Sequence, residues 1–502
     1  MRAKKAIYNI ISSLLLQLVT VICGFIVPKI IISNYGSETN GLIASITQFL
    51  GYISLMEAGV GGVVRAALYS PLARKNTERI SKILKATSVF FKKIAIISVG
   101  YMIVVAAVYP FVGSNSFDYW FTFSMVIIIG VSIFAQYFFG LTYQLLLQAD
   151  QKQYIGSAIQ ILTLVLNALL VIILTKINSN IIMVEIASSM VFILRPLLIN
   201  LYVKKSYNIN LNCEYDRRVL SRKRDGLAHH IAYFLHTNTD VVVLTLFTNM
   251  KEVSIYYVYN LVVSGVRRIV MIFSSGLEAT FGNILANNEK ENLKNKFNLV
   301  NVFVTLISTI FFTTAAVSIN SFLQLYTGNF TDADYNRPLL GVFLILAEYM
   351  YCVRNPYNSL IIGAGHFRET KKSAYAEALI NIILSIIFVN FWGIYGVAFA
   401  TFIAMLYRTI YYIYYVKRNL INRSILTSIK NGVISIIITS TSILLCYSVN
   451  LFSVANDYLS WAFCTIVFFA GASTISLGFV LVFYKNEFKQ MYKIIRNIGK
   501  RK

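Results

Sequence analysis

Four polar side chains, His229, Tyr233, His236 and Asp240, follow one another at steps of four, three and four residues. At 100° per residue on an α-helix these steps put all four on one narrow stripe. A carboxylate with imidazoles on one face can hold a proton or a cation, since imidazole titrates near neutrality. The same groups can instead bond to neighbouring helices. Glu377 and Asn381 make a second acid–amide pair one helical turn apart, with Ser373 and Ser385 extending the face. Glu57, among Gly59, Gly61 and Gly62, is a further acid inside an apolar stretch. Basic groups recur as well. Arg267 shares its helical face with Asn260, Ser264 and Glu278, whereas Arg268 falls toward Leu261 and Ile272. Arg354 lies with Tyr351, Tyr357 and Asn358, and Lys29 follows Pro28. Arg195 and Arg408 each have a hydroxyl seven residues before and a Tyr seven after. They suit a cavity, and equally a lobe-stabilising or a snorkelling position, and Arg65 suits snorkelling better. A set of Lys29, Arg65, Arg195, Arg267, Arg354 and Arg408 fits an anionic cargo, because the guanidinium fork binds phosphate bidentately. Asp240, His236, Glu377, Asn381 and Glu57 fit a separate cation site for Na⁺ or H⁺.

All of these residues sit in apolar surroundings. Hydrophobic residues make up 57% of the 502 and charged ones only 13%, against about 25% charged in soluble domains. A helix needs roughly 20 apolar residues to cross a bilayer. Such stretches fall at 7–34, 41–69, 82–112, 117–148, 155–176, 180–204, 226–248, 253–281, 297–326, 338–363, 373–391, 394–416, 427–450 and 457–484. The expectation is an all-α polytopic membrane protein of about fourteen transmembrane helices. A β-barrel needs strict alternation, and Ile127-Ile128-Ile129 and Ile436-Ile437-Ile438 do not alternate.

The charges orient these spans. With the N-terminus inside, the only bases in the outer connections are Lys176, Lys251 and Arg337, beside acids such as Glu38, Asp118 and Asp332, while the inner ones hold runs such as Arg217, Arg218, Arg222, Lys223 and Arg224 and the tail Lys500-Arg501-Lys502. That bias predicts both termini on the cytoplasmic side, and Trp120, Trp392 and Trp461 then fall at outer interfaces. It also accounts for the net charge of +24 through topology and anionic lipid rather than nucleic acid. Arg2-Ala3-Lys4-Lys5 before an apolar run resembles a signal peptide, but it reads better as the start of helix 1. The five cysteines are scattered without metal spacing. No Walker A motif occurs, and no connection is long enough for a nucleotide-binding domain.

The chain repeats itself. Leu72-Ala73 and Leu285-Ala286 stand 213 residues apart, as do Ser188 and Thr401, Arg195 and Arg408, and Tyr202-Val203-Lys204-Lys205 and Tyr415-Val416-Lys417-Arg418. With a one-residue indel Asn167 faces Asn381. A unit of six helices keeps both copies in the same orientation. The expected division is a six-helix lobe over 1–212, a second over 213–423, and two further helices with a basic tail over 424–502. Two such lobes imply a cavity that opens alternately to either side.

The opening pattern, Asn34-Tyr35-Gly36 with Gly41, Glu57-Ala58-Gly59, Arg65-Ala66-Ala67-Leu68-Tyr69 and Pro71-Leu72-Ala73, resembles that of the oligosaccharide-lipid flippases (Wzx type). These belong to the MATE-like multidrug/oligosaccharidyl-lipid/polysaccharide exporter superfamily, which also includes the lipid II flippase. The resemblance spans essentially the whole chain, including the two extra helices. It implies export of an undecaprenyl-pyrophosphate-linked oligosaccharide from the cytoplasmic to the outer leaflet of a bacterial cytoplasmic membrane, with other polysaccharide-assembly proteins as partners. No enzymatic activity and no organic cofactor are implied. Sodium-binding relatives pair an acid in helix 7 with an Asn and an acid in helix 11. Asp240, Asn381 and Glu377 match that set, the last two in reversed order, so Na⁺ and H⁺ both stay open. The rival is a multidrug/cation antiporter of the same fold, which would favour an acidic or apolar cavity over this set of arginines. A membrane-embedded polymerase or ligase would need larger outer loops.

Overall fold

The computed structural model describes residues 2–57, 59–112, 117–214, 227–274, 276–287, 289–490 and 493. Side chains at 2–4, 6, 227–233, 235–237, 290 and 291 also lie outside the description. Helices dominate, and the described residues contain no strand. In chain order they are α1 (Arg2–Gly51), α2 (Val60–Ala73), α3 (Thr77–Val112), α4 (Tyr119–Ala135), α5 (Leu141–Ala149), α6 (Gln153–Lys176), α7 (Ile181–Ser206), α8 (Leu227–Phe247), α9 (Met250–Ile272), α10 (Leu277–Ala286), α11 (Lys290–Thr327), α12 (Pro338–Gly363), α13 (Phe367–Asn419), α14 (Ile425–Val449) and α15 (Tyr458–Phe483). Ten helical segments among the described residues are long and apolar enough to cross a membrane.

Two of those ten are bent pairs. In α13, Gly393 has φ 54° and ψ −131°, and the chain doubles back there. Asn381 donates to the Thr401 hydroxyl at 2.8 Å, twenty residues on, a gap of about 30 Å on a straight helix. In α1 the bend is Gly36, at φ 86°, and residues from both arms line one cavity. Counting each arm gives twelve, and α8 and α12, which fall outside those ten segments, bring the helices to the fourteen expected.

Long-range bonds fix the directions. Lys5 donates to the Asp150 carbonyl, Tyr154 N–H to Asn9, and the Tyr35 hydroxyl to the Ser179 carbonyl, at separations of 144–145 residues. A constant offset means that the first arm of α1 and helix α6 run side by side in the same direction. Helices α11 and α14 do likewise, through Thr309–Ser435 and Thr313–Thr439, each 126 residues apart. Three crossings lie between the members of each pair, as that direction requires. The α11–α14 seam is built from hydroxyls, which supply interhelical bonds where apolar contact alone gives no preference over lipid. Apolar side chains such as Leu459, Phe463 and Ile466 of α15 point outward.

The repeat reappears as geometry. Both α2 and α10 start after a left-handed glycine, Gly59 (φ 82°) and Gly276 (φ 83°), and end at Ala73 and Ala286. These two glycines break the apolar runs 41–69 and 253–281, which hydropathy alone reads as continuous helices. The chain divides into two compact units, Met1–Tyr257 and Val258–Lys502. That division falls inside α9, later than the 212/213 boundary drawn from the repeat.

Candidate functional site

Most of the predicted arginines meet carboxylates. In the unit Val258–Lys502, α12 carries Arg354 and α13 carries Glu377 and Arg408, all buried. Arg354 Nη1 donates to Glu377 Oε1 at 2.6 Å, and Arg408 Nη1 donates to the other oxygen, Oε2. Arg408 Nη2 also donates to the Tyr412 hydroxyl at 2.7 Å. One turn before Arg354 on its own helix lies Tyr351, and nearly two turns before it lies Glu348. Arg267 of α9 donates to Glu348 at 2.9 Å, and the guanidinium groups of Arg267 and Arg354 lie 5.4 and 5.0 Å from the Tyr351 ring centre. Arg268, its neighbour on α9, is exposed. Three guanidiniums meet two carboxylates, so the cluster keeps a positive excess. Removing ions from water is costly, and such a cluster persists only because each ion is paired and hydrogen-bonded.

This arrangement joins residues that the sequence divides between two roles. Arg354 and Arg408 belong to the expected anion set and Glu377 to the expected cation set, yet they form one buried triad. In the state described Glu377 is held by two arginines. Both Glu377 oxygens accept from guanidinium groups, while the Asn381 amide nitrogen donates to Thr401, a bond that does not involve Asn381 Oδ1. Among the described residues no group of three or more His, Cys, Asp and Glu side chains is placed to hold a metal ion.

The unit Met1–Tyr257 holds the other candidates. Asp240 is buried in α8 and accepts from the Tyr256 hydroxyl at 2.5 Å. The side chains of His229, Tyr233 and His236 lie outside the described residues. Arg65 of α2 donates to Gln148 at 2.8 Å. Lys29 is half-buried in α1, and Glu57 is half-buried in the short turn Tyr52–Glu57.

Arg195 faces a cavity of about 450 Å³. Three irregularities shape its walls: Pro28 in α1, a wide π-type turn at Gln136–Gly140 between α4 and α5, and Pro196 in α7. A widened turn of this kind often marks a functional position. A Cβ on Gly140 would lie 2.7 Å from Pro196 Cβ, so only glycine lets the two helices approach there. Gln136, Gln144, Asn167, Glu185, Ser188 and Arg195 supply the polar lining. Asn167 and Glu185 are each 7% exposed.

Sequence reasoning finds the arginines, because a charge in an apolar run is conspicuous. It assigns no role to Glu348, Glu185 or Gln148. Their importance depends on which helices touch, and no spacing within one helix carries that.

No protein-family model matches the sequence, and no curated protein matches it at a significant level. Solved structures do. The lipid II flippase MurJ in an inward closed conformation superposes with a TM-score of 0.72 at 15% identity, over 95% of this chain and 100% of that one. An inward-facing multidrug resistance MATE transporter of the MOP superfamily gives 0.65 at 14% identity, over 80% of this chain and 95% of that one. The eukaryotic MATE transporter AtDTX14 gives 0.57 at 12% identity, over 82% and 95%. At such identities the likeness is one of fold, and this chain has the fold that these transporters share.

Proposed function

We propose that this chain is a flippase that moves an undecaprenyl-pyrophosphate-linked oligosaccharide from the cytoplasmic to the outer leaflet of a bacterial cytoplasmic membrane, for surface polysaccharide assembly. The observation that carries the reading is the extent of the structural likeness. The lipid II flippase superposes over 95% of this chain, whereas the multidrug transporter superposes over 80%. The difference is about the length of the α14–α15 segment with its tail. The charge pattern supports the same reading. Arg267, Arg354 and Arg408 outnumber Glu348 and Glu377 in their cluster, and a positive excess in a dry setting favours an anionic head group over a cationic drug.

Coupling to H⁺ or Na⁺ through alternating access belongs to this proposal, with Asp240 as the carboxylate that takes the ion. Glu377 has its own guanidinium partners and needs no ion in the state described. Deleting the gene in its own host tests the function. The expected result is loss of surface glycan, with lipid-linked repeat units accumulating on the cytoplasmic leaflet, and restoration by the native gene. Normal surface glycan with increased sensitivity to cationic drugs would instead favour the antiporter.

A further inference from the structure

The two halves of the repeat treat their matched arginines differently. Arg408 is paired with Glu377. Set back by the repeat offset, the place of Glu377 falls at Thr163-Leu164, and that of Arg354 at Gly140-Leu141. The first unit therefore lacks both the carboxylate and the second guanidinium of the triad. Arg195 has no hydrogen bond, ion pair or ring contact among the described residues. Glu185, on the same helix and lining the same cavity, likewise has none. Asn167 Oδ1, also on the cavity wall, is buried without a partner among the described residues. Charged and polar groups buried without partners are costly, so groups of this kind normally face a ligand or water.

The geometry points to the cavity in Met1–Tyr257 as a binding site for a sugar ring that carries an anionic group, with Arg195 holding the anion. Glu185 accepts from sugar hydroxyls toward the other end. The two are ten residues apart on α7, about 15 Å along its axis. On the same cavity wall Gln136, Gln144, Asn167 and Ser188 present amides and hydroxyls, which suit a ring bearing both donors and acceptors. Phe192 and Tyr257 on the wall offer aromatic surface to the apolar face of a sugar. A volume of about 450 Å³ lies within the roughly 300–1,000 Å³ of small-ligand pockets. The site deepens the flippase reading and rests on it for the saccharide class. The anionic group can come from the pyrophosphate-linked sugar or from an acidic sugar within the repeat unit.

Saturation-transfer NMR on the purified full-length chain tests this, with glucose 1-phosphate, glucuronic acid and glucose as observed probes and inorganic phosphate as a competitor against glucose 1-phosphate. One or both charged sugars should bind more tightly than glucose. Arg195→Gln should weaken that binding about tenfold or more, the loss of one charge-assisted hydrogen bond. Glu185→Gln should weaken charged and neutral sugars together. Preference for the phosphate identifies the pyrophosphate-linked end, and preference for the uronate identifies an acidic sugar. Asn167→Leu serves as a second variant should Arg195→Gln not fold, and it too should weaken binding. Absence of binding by every sugar overturns the site, as does binding that survives both Arg195→Gln and Asn167→Leu. Inorganic phosphate binding as tightly as glucose 1-phosphate reduces the cavity to an anion site and also overturns it. Glycolipid transport is measured separately. Transport without sugar binding discards this cavity alone, and sugar binding without glycolipid transport discards the flippase reading alone.

Discussion

Glu377 holds two guanidinium groups, so it should tolerate change less well than either arginine. Arg354→Ala leaves Glu377 with Arg408, and Arg408→Ala leaves it with Arg354. Glu377→Gln strands two buried positive charges at once, and breaking a buried pair in this way costs about 3–5 kcal/mol. Thermal midpoints of the three variants in detergent should therefore fall furthest for Glu377→Gln. A double-mutant cycle between Arg354 and Glu377 should show coupling of about 1–3 kcal/mol. Equal and small effects for all three would mean that the triad does not hold α12 and α13 together. Asp240→Asn makes a different test, since it keeps size and removes charge. It should abolish stimulation of transport by an imposed H⁺ or Na⁺ gradient and leave cargo binding nearly intact. A stimulation unchanged by the substitution would show that Asp240 only anchors Tyr256. Arg354 is legible in the sequence as an inward-facing residue, because it sits on a polar stripe of its own helix, whereas for Arg408 the sequence leaves more than one position open. Their pairing with Glu377 is not legible. It depends on how closely α12 approaches the two arms of α13.

Glycines decide how the helices bend and pack. A Cβ on Gly396 would overlap the Phe388 carbonyl across the α13 hairpin, and one on Gly41 would overlap the Met250 carbonyl where α1 meets the start of α9. Gly432 and Gly24 have open space where a Cβ would go. Gly396→Ala and Gly41→Ala should sharply lower folded yield, whereas Gly432→Ala and Gly24→Ala should match the native chain. The readout is size-exclusion chromatography of the detergent-extracted protein. Normal yields from the first pair would mean that those backbones are not in contact. Hydropathy locates the crossings, since each apolar run is long enough to see. It misses the breaks at Gly59 and Gly276, because a left-handed glycine alters φ without altering hydrophobicity. The repeat carries that missing signal. Each break precedes a short helix ending in Leu-Ala, at Ala73 and at Ala286.

For the molecule as a whole, the offset of 213 residues makes the six-helix repeat legible in the amino-acid sequence itself. It conceals the divergence between Arg195 and Arg408, since matched residues need not keep matched partners. Orientation rests on charge bias and is open to direct test. Thiols engineered at the exposed positions Asn34 and Asp332 should react with an impermeant reagent added to intact cells, and those at Asn76 and Glu289 should react only after lysis. The reverse pattern would place both termini outside. Transport of a lipid-linked saccharide is the central claim, and reconstitution measures it most directly. Proteoliposomes holding the purified chain receive an undecaprenyl-pyrophosphate-linked saccharide, and an impermeant glycosidase reports which leaflet the sugar occupies. The sugar initially protected inside should become accessible much faster than in protein-free vesicles, and Arg267→Ala should slow it. Accessibility no faster than in empty vesicles, from a preparation that moves a cationic dye under the same gradient, would contradict the flippase account.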